Sequence, residues 1–283
     1  MNRSRHWSPD FALKFLLVPP ALFLLPTFFL PLGVVVYRAF GESRPSLANF
    51  AEIAANPIYL AVIWQTFTTA LYSAVLCLVV AFPIAHLISR ANRFWSAIAF
   101  ALVMIPFWTS VVTRTYAWIA LLSRRGVINT VLTQLDWIDQ PLKLMNNMTA
   151  VQIGMVQVLL PMMVLPLVST MRQIDTTKLL AARILGANPL RAFWHIYLPM
   201  CLPGLVAGSV LVFITALGFY VTPALLGSDR NMMISVLIER QVSQALNWQL
   251  ASALATVLLA MVLLSISLIA YIAARRGVRL AIQ

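Results

Sequence analysis

The stretch AARILGANPLRAFWHIYLP, Ala181 to Pro199, differs from the chain on both sides of it. Met155 to Thr170 before it and Leu202 to Gly227 after it are long apolar runs, while the stretch itself carries arginines and a Gly-Ala-Asn-Pro turn. Lys178 to Leu185 is made of strong helix formers, with Leu179, Ala182 and Leu185 on one side. Gly186 suits the left-handed conformation that ends a helix. Asn188 before Pro189 reads as an N-cap followed by proline at the first helical position. A second short helix through Leu190–Tyr197 puts Leu190, Phe193, Trp194 and Tyr197 on one face at i, i+3, i+4, i+7. Pro199 marks the return to apolar chain. The expectation is two short helices at an angle, with aromatic and aliphatic residues beside Arg183, Arg191 and His195. Two physical readings fit: a helix lying in lipid headgroups, or a docking element whose aromatic and arginine residues anchor a cytoplasmic partner.

The flanking runs set the class. Hydrophobic residues make up 61% of the chain and charged residues 10%, against about one quarter charged in a soluble domain. Apolar windows long enough to cross the hydrocarbon recur near 13–37, 60–88, 95–121, 149–170, 200–225 and 249–274. The chain therefore reads as an all-α polytopic membrane protein with six transmembrane helices. The basic, then apolar N-terminus is expected to be an uncleaved first span, because its apolar part is long and no small-residue cleavage site ends it.

The net charge of +12 does not indicate nucleic acid, since the basic residues lie in small clusters between apolar segments and form no continuous face. One side collects Arg3, Arg5, Lys14, Arg90, Arg93, Arg172, Lys178, Arg183, Arg191, Arg275, Arg276 and Arg279 against Asp10 and Asp175. The other side holds fewer basic residues and most of the acids. That bias predicts both termini, and the Ala181–Pro199 loop, in the cytoplasm.

Three spans carry signs of interruption. Pro19, Pro20, Pro26 and Pro31 predict a kinked first helix. In the third, Pro106 is followed by Trp108, Thr109, Ser110, Arg114 and Tyr116. One reading is a break near 106–110 with a second helical piece near the outer surface. The other is an interfacial aromatic belt with a snorkelling arginine. Under the first, the solute pathway is expected to include Trp108, Thr109, Ser110, Arg114 and Tyr116, with Tyr220 and Thr222 from GFYVTP, where Pro223 helps open a second break.

Other classes find little support. Cys77 and Cys201 lie in or beside apolar segments and read as packing residues. His6, His86 and His195 have no ligand spacing, so no metal or haem site is expected; His86 reads as a capping or interfacial histidine. An ion-coupled secondary transporter or channel is the alternative class, but no Asp or Glu falls inside a predicted span. Lys14, Lys143 and Lys178 follow Leu13, Leu142 and Thr177, so no lysine sits in a phosphate-binding Gly-Lys-Ser/Thr loop. Any ATP hydrolysis belongs to a partner.

With these residues laid out, the chain resembles the permease subunits of bacterial ABC importers. Their cytoplasmic motif runs Glu-Ala-Ala, three residues, Gly, nine residues, Ile, any residue, Leu-Pro. Ala181, Ala182, Gly186, Ile196, Leu198 and Pro199 fall on that spacing, and Leu180 stands at the glutamate position. Pro106–Asn129, Leu217–Gln241 and ALNWQLASALA (Ala245–Ala255) are similar to spermidine/putrescine-type permeases, the first of their two membrane subunits.

The resemblance implies the type I importer permease fold with cytoplasmic coupling helices, in a bacterial inner membrane. It implies that Ala181, Ala182, Arg183, Gly186, Ala187, Leu190, Phe193 and Trp194 couple the chain to an ATPase. It further implies a second homologous permease, an ATP-binding cassette ATPase dimer using ATP and Mg, a periplasmic solute-binding protein and membrane lipid as partners, with no cofactor on this chain. The expected solute is a polyamine; another amine, a phosphonate or an opine-like compound is the alternative. The expected organisation is an N-terminal part over 1–59, a permease core over 60–274 with its coupling loop at about 172–199, and a tail over 275–283.

Overall fold

The computed structural model describes the backbone of residues 9–41 and 46–275, with the side chains at 9–17, 176 and 272–274 outside the described set. Arg3, Arg5, Lys14, Arg276 and Arg279, used above for orientation, lie outside it too, as does most of the expected tail.

Regular structure among the described residues is helical. In chain order the helices are α1 (Pro9–Ala39), α2 (Ala48–Ala55), α3 (Pro57–Arg90), α4 (Arg93–Met104), α5 (Val111–Leu122) and α6 (Val127–Gln134). They continue with α7 (Met148–Arg172), α8 (Thr176–Ile184), α9 (Pro189–Ala192), α10 (Leu198–Leu217), α11 (Val221–Leu226), α12 (Ile234–Ser243) and α13 (Trp248–Arg275). Among the described residues five segments are long and apolar enough to span a membrane: Val18–Ala39, α3, α7, Pro189–Leu217 and Trp248–Tyr271. Arg93–Trp108 with Val111–Gln134 makes a sixth if that pair, bent by 101°, is one span.

The chain divides into two compact units, one from Asn56–Leu237 with Leu258–Gln283, the other from Met1–Ala55 with Ile238–Val257. The first is organised around α3, α7 and α10, which pack on one another. On α7, Met155, Leu159, Met163, Leu167 and Met171 recur every fourth residue and are buried. On α3, Ala70, Ala74, Cys77, Ala81 and Ala85 form a buried stripe of small residues in the same cluster. Lipid is as apolar as leucine, so close packing and interhelical hydrogen bonds hold such helices together. Both are present. A β-carbon on Gly204 of α10 would lie 2.6 Å from Thr170 Oγ1, and one on Gly208 would lie 2.7 Å from Met163 Sδ. Ser73 Oγ donates to Gln152 Oε1 at 2.8 Å, and Gln152 Nε2 donates to the Thr69 carbonyl at 3.1 Å. Each such bond contributes roughly 0.6–2 kcal/mol within a bilayer.

The third span is broken, as one of the two sequence readings expected. α4 passes into a 3₁₀ turn at Ile105–Trp108, the chain extends through Thr109 and Ser110, and α5 begins at Val111. Proline explains the location, because Pro106 removes a backbone donor. The fifth span departs from the expected 200–225. Its helix starts at Pro189 and stops at Leu217, and residues 218–220 separate it from α11. Gly218 caps α10, and Pro223 lies in the first turns of α11, where a missing donor is tolerated. A hydropathy window cannot see this break, since both sides of it are apolar. α1 runs as one helix through Pro19, Pro20, Pro26 and Pro31.

In the other unit, Asn49 Nδ2 donates to the Ala39 carbonyl at 2.9 Å and the Phe40 and Phe50 rings meet at 5.2 Å, fastening α2 to the end of α1. Asn247 caps α13 by accepting from the Leu250 N–H at 3.0 Å.

Candidate functional site

The loop between α7 and α10 is locally well determined. Asp175 Oδ1 accepts from the Thr177 N–H at 2.9 Å, capping α8. That backbone bond, then the Thr177 hydroxyl, holds the Asp175 carboxyl below its ordinary range. At the other end the Gly186 N–H bonds the Arg183 carbonyl (3.0 Å) and the Ala187 N–H bonds the Ala182 carbonyl (2.9 Å), the paired closure of a Schellman cap. Gly186 sits at φ +84°, as that cap requires. Asn188 then accepts from the Leu190 N–H at 3.2 Å, with Pro189 at the first helical position. The expected caps are all present.

Beyond them two expectations change. The second helix is not a separate short piece ending at Pro199. α9 runs through a π-turn at Phe193–Tyr197 straight into α10, giving one span over Pro189–Leu217. The Leu198 N–H reaches back five residues to the Phe193 carbonyl, and Pro199, which has no N–H to donate, follows directly after it. The predicted shared face is split as a result. Phe193 and Tyr197 turn inward with ring centroids 5.8 Å apart, whereas Leu190 and Trp194 are exposed. Leu185 is also displaced: it caps α8 and is 87% exposed, while Ala182 is buried and Leu179 half-buried. The outer surface of the loop thus carries Leu180, Ile184, Leu185, Leu190 and Trp194, with Ala181 and Arg183 exposed and Ala187 half-buried beside them. Below it lies a cleft of about 380 Å³ lined by His86, Arg90, Arg183, Phe193 and Tyr197 among others.

The pathway candidates fall into two groups. Trp108 is 86% exposed, and Thr109, Ser110, Tyr116 and Tyr220 are exposed as well. Thr109 Oγ1 donates to the Pro106 carbonyl at 2.7 Å, closing the break. Arg114 is half-buried, and its Nε and Nη1 are enclosed without a hydrogen-bond partner. Thr222 is different: it is fully buried, with Oγ1 3.4 Å from Thr115 Oγ1 where α11 packs on α5. In this conformation Thr222 is a packing residue.

Sequence reasoning passed over Trp118, whose Nε1 donates to Gln157 Oε1 at 3.5 Å, and the bond between His86 and Tyr197. The signal for the first was available: Gln152 and Gln157 are amides in the middle of an apolar span, where an uncharged polar group needs a partner. Among the described residues no cluster of three His, Cys, Asp or Glu is placed to hold a metal ion.

A multi-span helical chain with a broken third span and a doubly capped, apolar-surfaced loop before its fifth span has the build of an importer permease. Residues 89–279 match the family described as binding-protein-dependent transport system inner membrane component, and the chain belongs to that family. It is 32% identical over 252 residues to the spermidine/putrescine transport system permease protein PotB of Haemophilus influenzae, covering 88% of this chain and 86% of that one. The PotB of Escherichia coli K12 is 34% identical over 208 residues, 74% of this chain and 75% of the relative. Among solved structures, a bacterial alginate ABC transporter in complex with alginate pentasaccharide-bound periplasmic protein superposes with a TM-score of 0.81 at 17% identity, over 95% of this chain and 96% of that one. The protein is a multi-pass inner-membrane permease subunit of an ABC importer. Its work is transport; ATP hydrolysis belongs to a separate subunit.

Proposed function

We propose that this chain pairs with a second, homologous permease to form the membrane pathway for a polyamine of the spermidine/putrescine class. The observation that carries the proposal is the 32–34% identity to PotB chains over most of the length. The chemistry around the broken third span agrees with it. Exposed Trp108, Tyr116 and Tyr220 offer aromatic faces to an organic cation, an attraction that strengthens where water is excluded.

A periplasmic binding protein delivers the solute, and an ATPase dimer using ATP and Mg sits on the opposite face of the membrane, on the side of both termini. The loop at 172–199 docks on that ATPase through Ala181, Arg183, Gly186, Ala187, Leu190 and Trp194, with buried Ala182 supporting them. Phe193 contributes from beneath, by holding the docking surface in place. Leu180 fills the position of the customary glutamate with an apolar contact. Nucleotide binding favours one of two arrangements of the spans, and the solute is released by that shift. The chain itself binds no cofactor.

The test is uptake of radiolabelled spermidine and putrescine by bacteria whose own polyamine importers are deleted and which express the complete set of subunits. ATP-dependent uptake of either solute is the expected result. No uptake of either, with normal complex assembly, would overturn the polyamine assignment. One observation favours a second solute class: the enclosed, unpartnered nitrogens of Arg114 suit a solute bearing an anionic group. ATP-dependent uptake of a radiolabelled aminophosphonate that excess spermidine does not inhibit would decide for that class.

A further inference from the structure

The loop is tied to the span core where α9 passes into α10. There His86 Nδ1 and the Tyr197 hydroxyl share a hydrogen bond of 2.7 Å across 111 positions of sequence. The two rings meet edge to face with centroids 5.3 Å apart, and the Arg90 guanidinium lies 5.6 Å over the Tyr197 ring. Phe82 stands edge-on to Phe193 at 5.9 Å and to Tyr197 at 6.5 Å. His86, Arg90 and Phe82 all belong to the last turns of α3, a different span from the one the loop enters.

This contact falls on the segment least able to support itself. The π-turn at Phe193–Tyr197 replaces the regular helical bonds with longer-range ones. The pieces before it are rigid: α8 and α9 are capped at both ends of their connecting turn, as described above. The described side-chain bonds of α8, α9 and the turn between them, from Asp175, Asn188 and His195, are local; at the start of the loop Arg172 donates to Ser96 Oγ of α4 at 3.0 Å. A displacement of α8 and α9 therefore meets α3 at Tyr197, through its hydrogen bond, and at Phe193, through ring contact.

We propose that His86 and Tyr197 are positioning residues that transmit movement of the loop to α3, so that breaking their bond uncouples ATP hydrolysis from transport without undocking the ATPase. The inference rests on the reading of the loop as the ATPase dock. Tyr197→Phe removes the hydroxyl and keeps the ring contacts. His86→Leu removes the polar partner, and His86→Asn returns a group able to bond near the Nδ1 position.

The complete importer would be reconstituted in proteoliposomes, with spermidine import and ATP hydrolysis measured on the same vesicles. The expected result is that Tyr197→Phe and His86→Leu retain the ATPase on purification but lower import per ATP by about fivefold, the effect of one lost hydrogen bond on a two-state equilibrium. The double variant should do no more than either single one, and His86→Asn should recover most of the ratio. An unchanged ratio in Tyr197→Phe and His86→Leu would overturn the inference. So would a loss of complex with a normal ratio in what remains, which is the mark of packing alone. If the unsubstituted complex hydrolyses ATP yet imports no spermidine, the polyamine assignment fails. Stimulation of ATP hydrolysis by the binding protein then decides the inference, and full stimulation in Tyr197→Phe overturns it.

Discussion

Gly154 lies directly against Thr222: a β-carbon at residue 154 would stand 2.5 Å from Thr222 Cγ2 and 2.8 Å from Leu226 Cδ1. The absence of a side chain on α7 is what lets α11 seat on it. Gly154→Val should therefore destabilise the protein by about 1–3 kcal/mol through overpacking. Thermal unfolding in detergent, followed by tryptophan fluorescence, reads the change. Thr222→Ala should recover part of the loss caused by Gly154→Ala, because the two positions are in contact. Strictly additive effects would contradict the packing described.

Gly186 isolates a purely conformational effect. A β-carbon there meets nothing within 4 Å, yet φ is +84°. Gly186→Ala should cost about 1–2 kcal/mol from the left-handed backbone alone. Gly186→Asn should be milder and Gly186→Pro severe, since proline holds φ near −65°. Import rates ranked Gly, Asn, Ala, Pro are the expected outcome; normal transport by Gly186→Pro would disprove the two-cap geometry of the loop.

Asp175 gives the loop a pH dependence of known sign. Its carboxyl is held below its ordinary value of 3.8 by the Thr177 N–H and hydroxyl. The stabilisation of α8 is thus complete above that value and is lost as pH falls through the lowered one. Protection of the amides in the first turn of α8, taken as exchange relative to the unstructured rate at the same pH, should fall on acidification below about pH 4. Asp175→Asn retains an oxygen cap and should flatten that dependence. Protection that rises in acid would reverse the sign and refute the cap.

Ile184 and Leu185 are 86% and 87% exposed, so charge at either costs the fold little. Ile184→Asp and Leu185→Asp should leave the unfolding midpoint in place while the ATPase no longer co-purifies. Retention of the ATPase by both variants would remove these residues from the docking surface.

Trp108, 86% exposed beside the break, tests the pathway. Trp108→Ala should reduce polyamine import with little change in stability or ATPase recovery. If it raises KM for spermidine and leaves the maximal rate alone, the indole acts in binding; wild-type import would exclude it.

Much of this architecture was legible before any coordinates. Long apolar runs can only be spans, and Gly186, Asn188 and Pro189 have backbone requirements that act over a few residues, so the caps appear where the sequence puts them. Pro106 likewise marked the break in the third span. Pro223 marked a second break in GFYVTP, which the structure has at 218–220, but the hydropathy window ran through it to 225. What escaped is a feature whose local signal is silent: nothing near Pro199 announces a π-turn that carries the helix onward.

The division has a physical basis. Membrane class, approximate spans, loop caps and the basic clusters follow from hydropathy, backbone stereochemistry and charge, each decided by neighbours in sequence. The enclosure of Thr222, the opposite fates of Phe193 and Trp194, and the meeting of His86 with Tyr197 depend on which helices pack together. In a uniformly apolar span every face looks equally suited to burial; only the alanine and glycine surfaces of α3, α7 and α10, closing on one another, select which side chains turn inward.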